Sequence, residues 1–184
     1  DDVWRRHIHV IPRSPIPENW RVDRAMDWGS SAPYSVGWFA EANGEEWQLS
    51  DGRVICPAPG TLIQIEELYG SAKIGSKEGL KHGSKKVAQL IIQTEIELME
   101  KGWIGRQPRP GPADNQIRAV NDSDTETIEK GMAKEGVKWL PSDKGKDTTK
   151  IGLQMIRDRL EASINQEGPG LLFMSNCKAS IATI

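Results

Sequence analysis

The chain has 184 residues, of which 37% are hydrophobic and 27% charged, and its formal net charge is −2. That length suits one domain with a sizeable core, and no run of apolar residues is long enough to cross a bilayer. The balanced charge excludes a uniformly basic nucleic-acid binder, although it allows a local basic patch. The two cysteines, Cys56 and Cys177, are too few for a disulfide framework or a zinc site, so both are interpreted as reduced intracellular thiols.

Prolines and arginines dominate the first twenty residues. Because proline blocks regular backbone pairing, this composition predicts a linker or an extended arm. We assign residues 1–19 to this arm and residues 20–184 to one domain. The chain begins with Asp1 and keeps strand-like and helix-like apolar residues up to its last position, so we expect it to be a piece of a longer protein.

Strands and helices alternate along the domain. Strands are predicted over residues 20–27, 36–42, 61–69, 137–141 and 170–175, and a further short strand is predicted in the proline-rich segment that ends at Asp114. Helices are predicted over residues 80–101, 125–134 and 148–164, and a further helix begins at Lys178. Residues 51–60 are predicted to be a loop, and the segment around Trp47 fits a strand or a loop. Antiparallel strands come first and alternating helices and strands come later, which indicates an α/β fold with a mixed central β-sheet flanked by helices.

Two acidic residues end segments of the predicted sheet. Asp27 ends the first strand, directly before a Gly/Ser-rich loop, and Asp114 ends the proline-rich segment after the long helix. Ligands of α/β sheets sit at the carboxyl ends of strands. Two carboxylates that meet there repel each other unless a divalent cation lies between them, and Mg²⁺ or Mn²⁺ suits such oxygen ligands. From residue types alone, the alternative stays open that Asp27 caps a turn and Asp114 lies in a solvated loop.

Three further carboxylates are weaker candidates. Glu66 and Glu67 close the third strand, and because side chains alternate along a strand, at most one of them can point toward Asp27. Asp143 follows the predicted strand at residues 137–141 and is otherwise a turn or cap residue. The alternative for each glutamate is a solvated carboxylate at the sheet edge.

A group of basic residues follows Asp143 and could contact phosphates. Its members are Lys144, Lys146 and Lys150, with Arg157 and Arg159 on the helix beyond. The alternative is an ordinary solvated helix face.

The stretch over residues 20–38, with its Asp-Trp-Gly-Ser-Ser core at 27–31, resembles the start of the nuclease domain of tailed-phage and prophage terminase large subunits. Later pieces resemble that family in the same order: residues 65–70, 111–114, 139–144, 151–160 and 171–177. The resemblance runs from about residue 10 to the end of the chain.

The resemblance implies an RNase H-like fold and metal-dependent cleavage of double-stranded DNA. In this family the nuclease cuts concatemeric viral genomes during packaging, with one or two Mg²⁺ or Mn²⁺ ions held by about three acidic residues. Asp27 matches the first acidic position and Asp114 the second. The third is carried on a helix that follows the segment ending here at Ile184, so we expect the domain's C-terminal end to be incomplete. A piece with two of three carboxylates is expected to bind metal weakly and cut poorly.

The resemblance also implies partners. The family's ATPase domain would precede Asp1, and the full-length protein would meet the small terminase subunit and the portal of the procapsid. The expected location is the cytoplasm of a bacterial host, with transient residence at the portal and no membrane association.

Two rival interpretations fit the same residues. Another RNase H-like nuclease, such as a junction resolvase or an integrase-like enzyme, would share Asp27 and Asp114. A non-catalytic module that docks on DNA or on a portal protein needs no third carboxylate.

Overall fold

The computed structural model describes residues 2–29, 33–74, 79, 83–120, 126–142 and 148–184, and only the backbone of residues 148–153. The strands in this part of the chain are β1 (Val10–Ile11), β2 (Val22–Asp27), β3 (Ser35–Glu41), β4 (Trp47–Gln48), β5 (Val54–Ile55), β6 (Leu62–Tyr69), β7 (Arg109–Ala113), β8 (Leu140–Pro141) and β9 (Leu171–Met174). The α-helices are α1 (Arg6–His9), α2 (Ser84–Glu100), α3 (Ile128–Lys134), α4 (Thr148–Asn165) and α5 (Lys178–Thr183), and a 3-10 helix, Asn115–Arg118, follows β7.

Seven strands form one sheet in the order β1-β9-β6-β3-β2-β7-β8. The central strands β2, β3 and β6 pair antiparallel with one another. On both sides the pairing is parallel, with β7 and β8 beyond β2, and with β9 and β1 beyond β6. This arrangement confirms the predicted mixed central sheet flanked by helices.

The two faces of the sheet differ because side chains alternate along each strand. One face carries most of the core, including Val22, Met26, Val36, Trp38 and Ala40. Helix α2 covers this face, and its Glu95 accepts a hydrogen bond from the Trp38 indole at 2.9 Å. The opposite face packs on α4 only in part, through a smaller cluster of Leu160, Leu171 and Phe173.

Arg24 of β2 forms a buried ion pair with Glu95 of α2. Its Nη1 lies 3.0 Å from Glu95 Oε2, and the two side chains are 5% and 7% exposed. Its Nη2 donates to the Lys138 carbonyl at 2.8 Å, and the guanidinium lies over the Trp139 ring at 5.0 Å from its centre. One side chain therefore joins β2 to α2 and to the segment that enters β8.

The residues before Trp20, predicted to be a linker or an extended arm, pack against the domain. Strand β1 pairs in parallel with β9 and extends the sheet by one strand. His9 of α1 is fully buried. Its Nε2 donates to the Leu160 carbonyl at 2.8 Å, its Nδ1 accepts the Arg5 amide at 2.9 Å, and Trp4 stacks on its ring. Burial of His9 thus fixes this segment against α4.

The other predicted elements differ from the structure mainly at their ends. Helix α2 begins at Ser84, and the predicted start at residues 80–82 lies outside the described part of the chain. Helix α3 begins after Thr127, whose hydroxyl accepts the Lys130 amide at 3.1 Å. The loop predicted over residues 51–60 contains β5, which pairs with β4 in a separate hairpin. Of the helices described, none is both long enough and apolar enough to cross a bilayer.

Candidate active site

Asp27 and Asp114 lie at the carboxyl ends of neighbouring parallel strands. Strands β2 and β7 are paired with Met26 opposite Ala113, and each acidic residue comes directly after its member of that pair. The Asp114 amide donates to the Met26 carbonyl at 3.2 Å. Because paired strands run about 4.8 Å apart, the two carboxylates leave the backbone from adjoining positions at one edge of the sheet.

A β-bulge in β7 sets this register. Arg24 pairs with Pro110 but Met26 pairs with Ala113, so β7 uses one more residue than β2 over the same span. A Cβ on Gly111 would overlap the Arg24 carbonyl oxygen, so only glycine allows the strands to approach this closely. Prolines are accepted in sheets at such bulges. The bulge therefore brings Asp114 level with Asp27.

Asp27 lines a cleft on the face of the sheet opposite α2. The cleft has a volume of about 670 Å³. Its floor is formed by alternate residues of the central strands, among them Ala25, Gly37 and Phe39, and α4 and α5 form its walls. Asp27 itself is exposed, so its carboxylate is accessible from the cleft.

Asp114 begins the 3-10 helix that follows β7. Its Oδ1 accepts the Gln116 amide at 3.1 Å, which makes it the N-cap of that helix. The next residue, Asn115, donates to the Ser142 carbonyl at 3.0 Å and accepts a hydrogen bond from Arg118 at 3.1 Å. These contacts hold the turn after β7 against the end of β8.

Glu66 and Glu67 lie on opposite faces of the sheet, as their alternation predicts. Glu66 pairs with Trp38 on the α2 face and forms an ion pair with Arg13 at 3.0 Å. Glu67 pairs with Gly37 and so lies on the face of Asp27. Its carboxylate accepts the amides of Ala179 and Ser180, so both of its oxygens are engaged by α5.

The remaining predicted site residues fall where the structure describes no side chains. Asp143, Lys144 and Lys146 lie outside the described residues, and Lys150 lies in the part of α4 of which only the backbone is described. Within the described residues, no group of three or more His, Cys, Asp or Glu side chains could hold a metal ion. Asp27 and Asp114 are the two predicted site residues that the structure describes next to each other in the sheet. That they form a metal site stays a prediction.

Two features of the site were missed in the sequence. The hydroxyl residues Ser180 and Thr183 of α5 line the cleft together with Asp27, and Asn115 connects the turn after Asp114 to Ser142. No sequence pattern indicates that a serine or threonine lines a cleft. The sequence signal for Asn115 is that it directly follows the candidate site residue Asp114.

Comparison of the structure with solved structures gives strong matches at low sequence identity. The large terminase of a thermophilic bacteriophage, in complex with ADP, matches with a TM-score of 0.63 and 14% identity over 98% of this chain. The P22 large terminase nuclease domain matches with a TM-score of 0.60 and 9% identity over 97% of this chain and 74% of that one. The chain has the RNase H-like fold of a terminase nuclease domain. The resemblance found in the sequence is therefore confirmed for the fold.

The chain corresponds to one part of a larger protein in the first of these matches. It spans about a third of the thermophilic phage's large terminase, 35% of its length. No protein-family model matches the chain, and no curated protein matches it by sequence. Of these comparisons, the one between structures detects the terminase-like fold.

Proposed function

We propose that this chain is the nuclease domain of a phage-type terminase large subunit, a metal-dependent endonuclease that cuts concatemeric double-stranded DNA during genome packaging. One observation carries the proposal. Asp27 and Asp114 lie at adjoining strand ends, and Asp27 lines a cleft, in a fold shared with the P22 terminase nuclease domain.

The donor set of this site fits a hard divalent cation. Asp27 and Asp114 supply carboxylate oxygens, which Mg²⁺ and Mn²⁺ prefer. Mg²⁺ usually keeps several waters and is commonly held by one or two carboxylates, to which substrate phosphates are added, so two protein ligands suffice. The bulge at Gly111 supports this fit because it keeps the strand ends that carry Asp27 and Asp114 adjoining.

Asp27 and Asp114 would hold one or two Mg²⁺ or Mn²⁺ ions. When bound, the cation supplies positive charge that polarises a phosphoryl oxygen and makes water more acidic. The chain's own residues provide the rest. The hydrogen bond from the Gln116 amide orients the Asp114 carboxylate, and the exposed Asp27 carboxylate faces the cleft into which a phosphodiester can enter.

Contacts to the DNA backbone give affinity without sequence information, so we expect cleavage that depends little on sequence. Lys144, Lys146 and Lys150 are the proposed backbone contacts, since they follow β8, whose end lies beside Asp114 at the same edge of the sheet. The proposed partners in the full-length protein are an ATPase domain, a small terminase subunit and the portal of the procapsid. The proposed location is the cytoplasm of a bacterial host.

Nicking of supercoiled plasmid in the presence of Mn²⁺ tests the proposal. Asp27→Asn and Asp114→Asn should each abolish the metal-dependent activity, because each removes one charged ligand. The matched control is Asp158→Asn, an exposed aspartate of α4 that accepts a hydrogen bond from Gln154, four residues before it on the same helix, and it should nick like the parent chain. Mn²⁺-dependent nicking by the parent chain that continues at the same rate in both Asp27→Asn and Asp114→Asn would refute the proposal.

A further inference from the structure

Glu67 lies on the same face of the sheet as Asp27, two strands away. It pairs with Gly37 of β3, and Gly37 pairs in turn with Ala25 of β2. Ala25 and Asp27 are separated by one residue and line the same cleft. Glu67 therefore lies on the face of the sheet that forms the floor of the cleft.

The Glu67 carboxylate holds the first turn of α5 with both oxygens. Oε2 accepts the Ala179 amide at 2.7 Å and Oε1 accepts the Ser180 amide at 2.9 Å. Hydrogen bonds to an ionised acceptor are about twice as strong as neutral ones, and a carboxylate is favoured where a helix begins. This pair of bonds ties α5 to β6.

The tie determines which groups of α5 face the cleft. Ser180 and Thr183 line it together with Asp27. The Thr183 hydroxyl donates to the Ala179 carbonyl at 2.9 Å, so its proton is already used in a hydrogen bond within α5. The Ser180 hydroxyl has no hydrogen-bond partner among the described residues, although the Ser180 amide is fixed by Glu67.

We infer that α5 forms a phosphate-contacting wall of the cleft, in which the Ser180 hydroxyl donates to a DNA backbone oxygen and Glu67 is the positioning residue that holds it there. Serine hydroxyls are common donors to DNA phosphates. This inference rests on the proposed function, because it takes the cleft as the DNA site. It assigns Glu67 to positioning rather than to metal binding.

Binding of a fluorescein-labelled linear duplex, measured by anisotropy without divalent metal, tests the inference on the 184-residue chain. Ser180→Ala should weaken binding about tenfold, since it removes one hydrogen bond to a charged group. Ser180→Thr, which keeps the hydroxyl, should bind near the parent value. The control Ser175→Ala changes an exposed serine that does not line the cleft and should have no effect.

Glu67→Gln separates positioning from metal binding. It should weaken duplex binding because an amide has one oxygen for the two backbone N–H groups, while Mn²⁺ affinity measured by calorimetry stays unchanged. Glu161→Gln, an equal charge change on the exposed face of α4, should alter neither quantity. Unchanged duplex binding by Ser180→Ala in a folded variant, or loss of Mn²⁺ affinity in Glu67→Gln, would overturn the inference. Failure of the parent chain to bind the duplex would overturn the inference and the proposed function together.

Discussion

Gly111 lies so close to Arg24 that a Cβ on the glycine would overlap the Arg24 carbonyl oxygen. This contact occurs at the bulge where β7 gains a residue on β2, and the bulge makes Asp114 the neighbour of Asp27. The placement of Asp27 beside Asp114 therefore depends on Gly111, a residue without a side chain.

Gly111→Ala should destabilise the chain and disable the site. The added methyl group must push β7 away from β2, and overpacking of this kind costs about 1–3 kcal/mol. Urea unfolding measures the loss in stability, and Mn²⁺-dependent plasmid nicking should fall as well. Gly83→Ala is the matched control, because a Cβ there meets nothing within 4 Å. A Gly111→Ala variant with parent stability and activity would contradict this account of the bulge.

Removal of Arg24 should be far more damaging than removal of an exposed arginine. Arg24→Met leaves Glu95 buried without its charged partner, which costs about 3–5 kcal/mol. Arg53→Met breaks the exposed pair with Asp51 and should leave the stability almost unchanged, because solvent screens exposed ion pairs. The double variant Arg24→Met/Glu95→Met should regain part of the loss in urea unfolding, and a double variant no more stable than Arg24→Met would contradict the charge argument.

The two cysteines should react very differently with a thiol reagent. Cys56 is exposed, whereas Cys177 is buried and its pKa is raised by burial and by the nearby Glu67 and Glu66. Because the thiolate is the nucleophile, Cys177 should stay unreactive at pH 8 until the chain unfolds. Titration with a disulfide reagent should count one thiol in the native protein and two in urea. Two fast thiols in the native state would show that the core around Cys177 is open.

The raised pKa of Cys177 also predicts that the protein becomes less stable at alkaline pH. The unfolded thiol loses its proton near pH 8.5, while the folded Cys177 keeps it to higher pH, so the native state binds more protons in this window. The free energy of unfolding should therefore decrease above about pH 8.5, by at most about 1.4 kcal/mol per pH unit from this group. Cys177→Ala should flatten the slope between pH 8 and 9.5, and Cys56→Ala should not. A slope that is unchanged in Cys177→Ala would assign the effect to other groups.

The choice of DNA substrate separates the proposed function from a junction-specific enzyme. A terminase-type nuclease should cut a linear duplex as readily as a four-way junction of the same sequence, because its contacts follow the backbone of a continuous duplex. Cleavage products on both substrates are compared at equal Mn²⁺ concentration. A strong preference for the junction would favour a resolvase-like function instead.

The sequence predicts much of the fold because periodicity and turn residues are local signals. The helix at 148–164 and the strand at 170–175 match α4 and β9 to within one residue at each end. The strand before Asp114 was harder to predict, since its prolines argue against regular pairing and only the bulge makes them acceptable. The location of both acidic residues at strand ends was nevertheless predictable from the segments that precede them.

The role of Glu67 could not be predicted from the sequence. Its partners Ala179 and Ser180 are 112 and 113 positions away, and no local pattern links a glutamate in β6 to the start of α5. Alternation along the strand correctly puts Glu66 and Glu67 on opposite faces, but it cannot tell which carboxylate is used by another element. The same limit applies to Arg13, which reaches Glu66 from the segment after β1.

Calorimetric titration with Mn²⁺ shows whether Asp27 and Asp114 hold a shared divalent cation. Site-specific binding is expected for the parent chain and for Asp158→Asn, and its loss is expected in both Asp27→Asn and Asp114→Asn. Absence of specific binding in the parent chain, or binding that survives both substitutions, would contradict a shared site.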